Sequence, residues 1–327
     1  MGTVTVHPGR ESYEQTLHFV RHPKRCMHRD PVPEMTLPPI DGQTQLVGLV
    51  GWPVGHSASP AMQNAAFDAC GLNWRYVPLP VAPGRIRAGL EGLAALGFRG
   101  ANVTVPHKRA VLPALTTVAP DARALGAVNT VVVEESGTES PVMRGDNTDA
   151  TGFIESLQEG GFDPEGASIV VVGAGGGARA VVFGLAQAGA RNVVILNRSL
   201  ERATTLVSDL KPYAPSVLEA ESLGREQLVE NARGADLLVN ATPLGMVGQE
   251  DTSIWPDELS LPSHLTVFDL VYNPRQTKLL GQARRGGADV VDGLGMLVRQ
   301  GALAFEMWTG QEAPVEVMRS AGEGALR

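Results

Sequence analysis

Ser168-Ile169-Val170-Val171-Val172-Gly173-Ala174-Gly175-Gly176-Gly177-Ala178 is the stretch on which the fold turns. Four β-branched residues in a row read as a strand buried on both faces. A glycine cluster follows, and Ala178 to Ala188 then reads as a helix. Gly173, Gly175 and Ala178 satisfy G-x-G-x-x-A. The first glycine allows the tight turn, the second lets backbone approach a pyrophosphate, and the small third residue lets helix and strand pack closely. The opening helix turns its free N–H groups toward the phosphate charge. A glycine-rich turn is common by itself; a strand before it and a helix after it make Gly173, Ala174, Gly175, Gly176, Gly177 and Ala178 a dinucleotide cradle.

The next strand says which dinucleotide. Asn192 to Leu196 ends in Asn197-Arg198-Ser199, with Arg202 beyond. An NAD site usually places Asp or Glu at that tip to accept from the ribose 2′-hydroxyl. No acid stands here, and Arg198 and Arg202, four apart at a helix start, suit a 2′-phosphate. The competing reading is a pair of ordinary solvated arginines. The missing acid favours NADP.

Outward in both directions, strands alternate with helices. Glu201–Leu210 reads as a helix, and Asp236–Asn240, Thr266–Val271 and Ala288–Val291 as strands; Gly295–Thr309 has helical spacing. Upstream, Leu46–Val50, Trp74–Leu79, Gly100–Val105 and Ala127–Val133 read as strands. Pro60–Ala69 reads as a helix with Ser59 as its N-cap, and Pro83–Leu96 as a helix closed by Gly97. This alternation predicts two α/β domains with mostly parallel sheets covered on both faces. The division falls near Asp149 to Gly152. Residues 46–149 form the first domain, 150–287 the second, and 288–327 a C-terminal helical segment.

Residues 1–45 differ. They hold His7, His18, His22 and His28, whose spacing fits no metal motif, and the segment reads as a flexible extension without chemistry. No metal site is expected.

Composition narrows the function classes. Of 327 residues, 43% are hydrophobic and 19% charged, a globular make-up with enough apolar side chain for a core. A net charge of −8 argues against a nucleic-acid backbone binder, and 5% aromatics argue against a base-stacking platform. Cys26 and Cys70 cannot make a disulfide framework, which fits a reducing cytoplasm. The apolar stretch Ile169–Ala190 is broken by Arg179, Gln187 and glycines, too weak for a membrane helix.

Polar motifs gather at predicted strand ends, where open α/β sheets bind ligands. Gly51-Trp52-Pro53-Val54-Gly55-His56-Ser57-Ala58-Ser59-Pro60 enters a helix, and Ser57 and Ser59 there suit a carboxylate, although taken alone a cap and a turn explain them better. Asn102-Val103-Thr104-Val105-Pro106-His107-Lys108 puts Asn102 and Thr104 on one strand face. Lone loop lysines are mostly solvated, so Lys108 draws its interest from these neighbours. Asn129-Thr130 and Gly145-Asp146-Asn147-Thr148-Asp149 add polar groups at the junction. Asn240-Ala241-Thr242-Pro243-Leu244-Gly245-Met246, Asp269-Leu270-Val271-Tyr272-Asn273-Pro274 and Asp292-Gly293-Leu294-Gly295-Met296-Leu297-Val298-Arg299-Gln300 leave the second domain.

Together, from residue 46 to about 318, these motifs resemble the shikimate dehydrogenase family. The resemblance implies a substrate domain and a Rossmann-type domain with a cleft between them. It implies reversible NADP-linked reduction of 3-dehydroshikimate to shikimate, a step toward chorismate and the aromatic amino acids. It assigns Lys108 and Asp149 as the catalytic pair. Ser57 and Ser59, helped by Thr104 and Tyr272, would bind the carboxylate. Asn102, Asn129, Asp149 and Gln300 would surround the ring hydroxyls. Thr242, Gly293 and Met296 would lie on the nicotinamide side, and Asn197, Arg198, Ser199 and Arg202 at the 2′-phosphate. It further implies a homodimer and a C-terminal helix crossing back onto the first domain. Gln63 stands where many members have His. An NAD-linked quinate/shikimate dehydrogenase is the nearest rival; a non-catalytic shikimate sensor is a rival of another class, opposed by the presence of both Lys108 and Asp149.

Overall fold

The computed structural model describes residues 40–134 and 141–326; the histidine-bearing part of the N-terminal extension, residues 1–39, lies outside them. The elements in chain order begin with β1 (Gln45–Gly51), α1 (Ser59–Ala69), β2 (Trp74–Pro80), α2 (Ile86–Ala95), β3 (Gly100–Val103) and β4 (Thr117–Val118). They continue with α3 (Pro120–Leu125), β5 (Thr130–Glu134), β6 (Val142–Asp146), α4 (Asp149–Glu159), β7 (Ser168–Val172) and α5 (Gly176–Gln187). Next come β8 (Asn192–Asn197), α6 (Leu200–Leu210), β9 (Val217–Ser222), α7 (Arg225–Arg233), β10 (Leu237–Asn240) and β11 (Thr266–Asp269). The chain ends with α8 (Lys278–Gly286), β12 (Asp289–Val291), α9 (Gly293–Thr309) and α10 (Val315–Ala325).

Two six-stranded sheets result. The second runs β12-β11-β10-β7-β8-β9, parallel throughout. In chain order that is the doubly wound 3-2-1-4-5-6 arrangement, with its switch point between β7 and β10. Every residue of β7, β10 and β11 is buried, as their apolar sequences require. The first sheet runs β2-β1-β3-β5-β6-β4. Its β2, β1 and β3 are parallel neighbours, whereas β5 is antiparallel to both β3 and β6. The parallel-rich, two-domain α/β class is therefore as the alternation predicts; the antiparallel β5–β6 pair is additional, because only a short connection separates those strands.

Other differences are local. Ser59 is the first residue of α1 rather than its N-cap; Ala58 caps without a side-chain bond, and the Ser57 hydroxyl accepts from Ser59 N–H at 3.2 Å. Helix α2 begins at Ile86, not Pro83, and β3 ends at Val103. The elements β9, α7 and α8 lie outside those predicted from the sequence.

Helices knit the sheets together. Helix α4 packs along α9, and α5 packs on α4. Gly152 makes the first contact possible, since a Cβ there would stand 2.6 Å from the Gln300 backbone nitrogen. Helices α9 and α10 return across the molecule onto α1, where Met62, Phe67, Leu294, Phe305 and Met318 share one buried cluster. The arrangement puts the C-terminal ends of β3 and the second sheet's strands around one cleft.

Candidate active site

The cleft holds a cavity of ≈ 410 Å³. Ser57, Ser59, Asn102, Thr104, Lys108, Asn129, Asp149, Tyr272 and Gln300 all line it, as do Gly293 and Met296. These side chains come from separate loops, strand ends and helices, some 240 residues apart in sequence, so the sequence-predicted substrate and catalytic residues converge on one place.

Lys108 and Asp149 are paired at its polar end. Lys108 Nζ donates to Asp149 Oδ2 at 2.6 Å. The Lys108 side chain is 23% exposed and that of Asp149 9%, so the pair is half shielded but reachable from the cavity. The backbone of Lys108 is held in place by Val128 N–H donating to its carbonyl at 2.8 Å. Asp149 opens α4, where the helix dipole and free N–H groups stabilise negative charge. Its own N–H donates to Asn147 Oδ1 at 3.0 Å, and Asn129 Nδ2 donates to its Oδ1 at 2.8 Å. An ammonium and a carboxylate are thus fixed side by side, each with a further group directing it.

Thr148 ties three segments together: its N–H donates to Asn129 Oδ1 at 2.8 Å and its hydroxyl donates to the Gln300 carbonyl at 3.0 Å. Asn102 accepts from the Tyr76 hydroxyl at 2.8 Å and donates to Thr130 Oγ1 at 3.1 Å. Sequence reading singled out none of Tyr76, Thr130 and Thr148 as a site residue. Thr130 and Thr148 lie inside quoted motifs, but Tyr76 carries no local signal; it reads as an ordinary inward-facing strand residue. Tyr272 lines the cavity, and burial pushes its hydroxyl up from the usual value of 10.0, so it stays a donor suited to an anion. Gln63 does not line the cavity; it is buried against α9, donating to the Gly301 carbonyl at 2.8 Å.

The remaining predicted residues form a second set outside that cavity, along the C-terminal edge of the second sheet. Gly173 follows β7 with φ +119°, and a Cβ there would meet the Ala241 carbonyl oxygen at 2.8 Å, so only glycine makes this turn. Gly175 caps α5 without a side-chain bond, and a Cβ at Gly175 or Gly176 would meet nothing. The first N–H groups of α5 have no partner within the helix, the condition a pyrophosphate needs. Ala178 is fully buried. Asn197 ends β8 and donates to the Ser199 carbonyl at 2.8 Å; Ser199 caps α6 by accepting from Arg202 N–H. Arg198 and Arg202 are exposed and make no ion pair with the described residues. Thr242 donates to Asn240 Oδ1 at 2.7 Å, and Asn240 in turn donates to Asp269 at 2.9 Å. No group of three or more His, Cys, Asp or Glu suited to a metal ion occurs among the described residues.

Fold and site define a two-domain α/β protein of the dinucleotide-binding class, with a charged pair in the interdomain cleft. Family models agree segment by segment: the shikimate dehydrogenase substrate binding domain matches residues 49–131, shikimate / quinate 5-dehydrogenase residues 157–276, and the shikimate 5'-dehydrogenase C-terminal domain residues 293–321. The shikimate dehydrogenase (NADP(+)) of Methanopyrus kandleri is 48% identical over 283 residues, 86% of this chain and 96% of the relative. That of Moorella thermoacetica is 49% identical over 279 residues, 85% and 92%. The crystal structure of shikimate 5-dehydrogenase from Thermus thermophilus in complex with NADP(H) and shikimate superposes with a TM-score of 0.76 at 39% identity, covering 86% of this chain and all of that one. The chain belongs to the shikimate dehydrogenase family.

Proposed function

We propose that this protein is an NADP-dependent shikimate dehydrogenase, interconverting 3-dehydroshikimate and shikimate in the route to chorismate and the aromatic amino acids. The observation that carries the mechanism is the Lys108–Asp149 pair at 2.6 Å on the wall of the cleft cavity. The glycine turn, the helix-start N–H groups of α5 and the exposed Arg198 and Arg202, without ion-pair partners among the described residues, fit a phosphorylated dinucleotide. NADPH, when bound, supplies the hydride that reduces the ketone.

Reduction of a ketone places negative charge on its oxygen. The Lys108 ammonium stabilises that charge and donates a proton to it. In the opposite direction the neutral amine takes the proton from the alcohol. Asp149 orients Lys108 and accepts from a substrate hydroxyl. Ser57, Ser59, Thr104 and Tyr272 supply hydroxyl donors for the carboxylate, while Asn102, Asn129 and Gln300 face the ring. Gly293, Met296 and Thr242 border the nicotinamide side. Residues 46–149 act as the substrate domain, 150–287 as the NADP domain and 288–327 as the segment that packs back. No described helix is long and apolar enough to cross a membrane, and we place the enzyme in the cytoplasm as a homodimer.

Absorbance at the reduced nicotinamide band tests the reading. Purified protein given shikimate and NADP is expected to form NADPH, with kcat/KM highest for that pair among shikimate or quinate with NADP or NAD. No shikimate-dependent reduction, or preference for NAD, overturns the assignment or its cofactor half respectively.

A further inference from the structure

The hydrogen bonds around the two cavity asparagines can be counted. An amide offers two N–H donors and an oxygen with two lone pairs. Asn129 uses all four within the protein. Its Nδ2 donates to Thr148 Oγ1 at 2.9 Å and to Asp149 Oδ1 at 2.8 Å, and its Oδ1 accepts from Thr148 N–H at 2.8 Å and from the Thr130 hydroxyl at 3.0 Å. Asn102 differs. Its Nδ2 donates to Thr130 Oγ1 at 3.1 Å and to the Asn129 carbonyl at 3.2 Å, which occupies both donors. Its Oδ1 accepts from the Tyr76 hydroxyl at 2.8 Å and has one lone pair left on a residue that lines the cavity.

The orientation of that amide is over-determined. Turning it over would set its oxygen against the Asn129 carbonyl, two acceptors facing each other. At the other end stands Tyr76, 2% exposed and beside Trp308. Burial pushes its hydroxyl far above the usual range, so it stays protonated and donates that proton to Asn102 Oδ1. The bonds therefore run in one sense: Tyr76 to Asn102, Asn102 to Thr130, Thr130 to Asn129, and Asn129 to Asp149.

We propose that Tyr76 is a positioning residue which, through its hydroxyl, presents Asn102 to the substrate as a hydrogen-bond acceptor, selecting a ligand hydroxyl rather than a bare acceptor at that point. The inference rests on the shikimate reading above. Tyr76 touches no substrate itself; it acts through Asn102.

A double-mutant cycle between Tyr76→Phe and Asn102→Ala tests it, read by shikimate titration calorimetry and by steady-state kinetics. In the wild-type background Tyr76→Phe is expected to raise the shikimate KM and Kd about five- to tenfold, the loss of one hydrogen bond, with kcat within about twofold and the NADP KM unchanged. In the Asn102→Ala background the same change is expected to have less than about a twofold effect. Equal effects in both backgrounds, or none in the wild type, overturn the proposal. Should Tyr76→Phe fail to fold, Thr130→Val takes its place in the cycle, because it removes the partner at the other end of the Asn102 amide; Thr130→Ser is then expected to restore wild-type KM, and failure of that rescue overturns the proposal. Wild-type protein that binds no shikimate overturns the functional reading, and this inference with it. Wild-type binding with an unaffected Tyr76→Phe overturns this inference alone.

Discussion

At the scale of single residues, charge placement dominates. Lys108 is reachable from the cavity and bonded to Asp149, so Lys108→Ala is expected to lower kcat by about 10²–10⁴ with the shikimate KM nearly unchanged. A variant keeping more than about a tenth of wild-type kcat removes Lys108 from the mechanism. Asp269 is a different case. It is fully buried at the end of β11, and burial pushes its carboxyl from 3.8 to about 6 despite bonds from Thr277, Val271 and Asn240. The folded state then holds a proton there that the unfolded state releases between about pH 4 and 6. Its stability contribution is accordingly greatest below pH 4, declines through that window and is constant above it, by up to about 3 kcal/mol. Asn at this position reproduces the geometry, since Oδ1 accepts two of the bonds and Nδ2 can donate to Thr277 Oγ1. Denaturant melts are expected to show Asp269→Asn gaining stability relative to wild type from pH 4 to pH 7; an equal difference at both pH values contradicts the burial argument.

At the scale of elements, strand ends and helix starts carry the residues proposed to bind substrate and cofactor. The strand-to-helix turn after β7 was legible because its chemistry is local: Gly173 needs a positive φ, and the following N–H groups belong to consecutive residues. The tip of β8 is likewise a local feature, Asn197 and Ser199 closing the turn into α6. Arg198 and Arg202 flank the N-terminal turn of α6 without ion-pair partners among the described residues. The double substitution Arg198→Ala, Arg202→Ala is expected to raise the NADP KM at least about tenfold and to leave the NAD KM within about twofold. A parallel rise for both cofactors would mean that the arginines support α6 rather than the 2′-phosphate. By contrast, Ser59 was misplaced by one position at the start of α1, because the signals for a cap and for a hydroxyl one residue inside the helix are the same residue types. Helices α7 and α8 lie outside the predicted elements: α7 buries only Leu228 and Ala232, whereas α8 is a nine-residue helix whose Leu279, Leu280 and Ala283 do share one buried face.

At the scale of the whole molecule, the C-terminal helices hold the site together. Gln300 reaches the Thr148–Asn129 network because α9 crosses back and meets α4 at Gly152. Helix α10 supports that crossing by burying Met318 against α1 and α9. Ending the chain after Gly310 uncovers this face. The truncated protein is expected to lose about 5–15 °C in Tm, from the burial of Met318 alone, and to bind shikimate more weakly while its NADP affinity changes little. A truncation with unchanged Tm would show that α9 needs no such support.

The sequence by itself determined the α/β class, the glycine turn, the absence of an acid at the tip of β8 and the set of polar motifs that became the cleft. Each of these depends on residues within a few positions of one another, where backbone geometry and side-chain period are the deciding physics. Tertiary structure alone decided the antiparallel pairing of β5 with β3 and β6, the close seating of α9 on α4 at Gly152, and the hydrogen-bond chain from Tyr76 through Asn102, Thr130 and Asn129. The reason is directional. A hydrogen bond between residues 26 or 28 positions apart exists only once two strands are in register, and no local preference of Tyr76 or Thr130 records which partner that register brings.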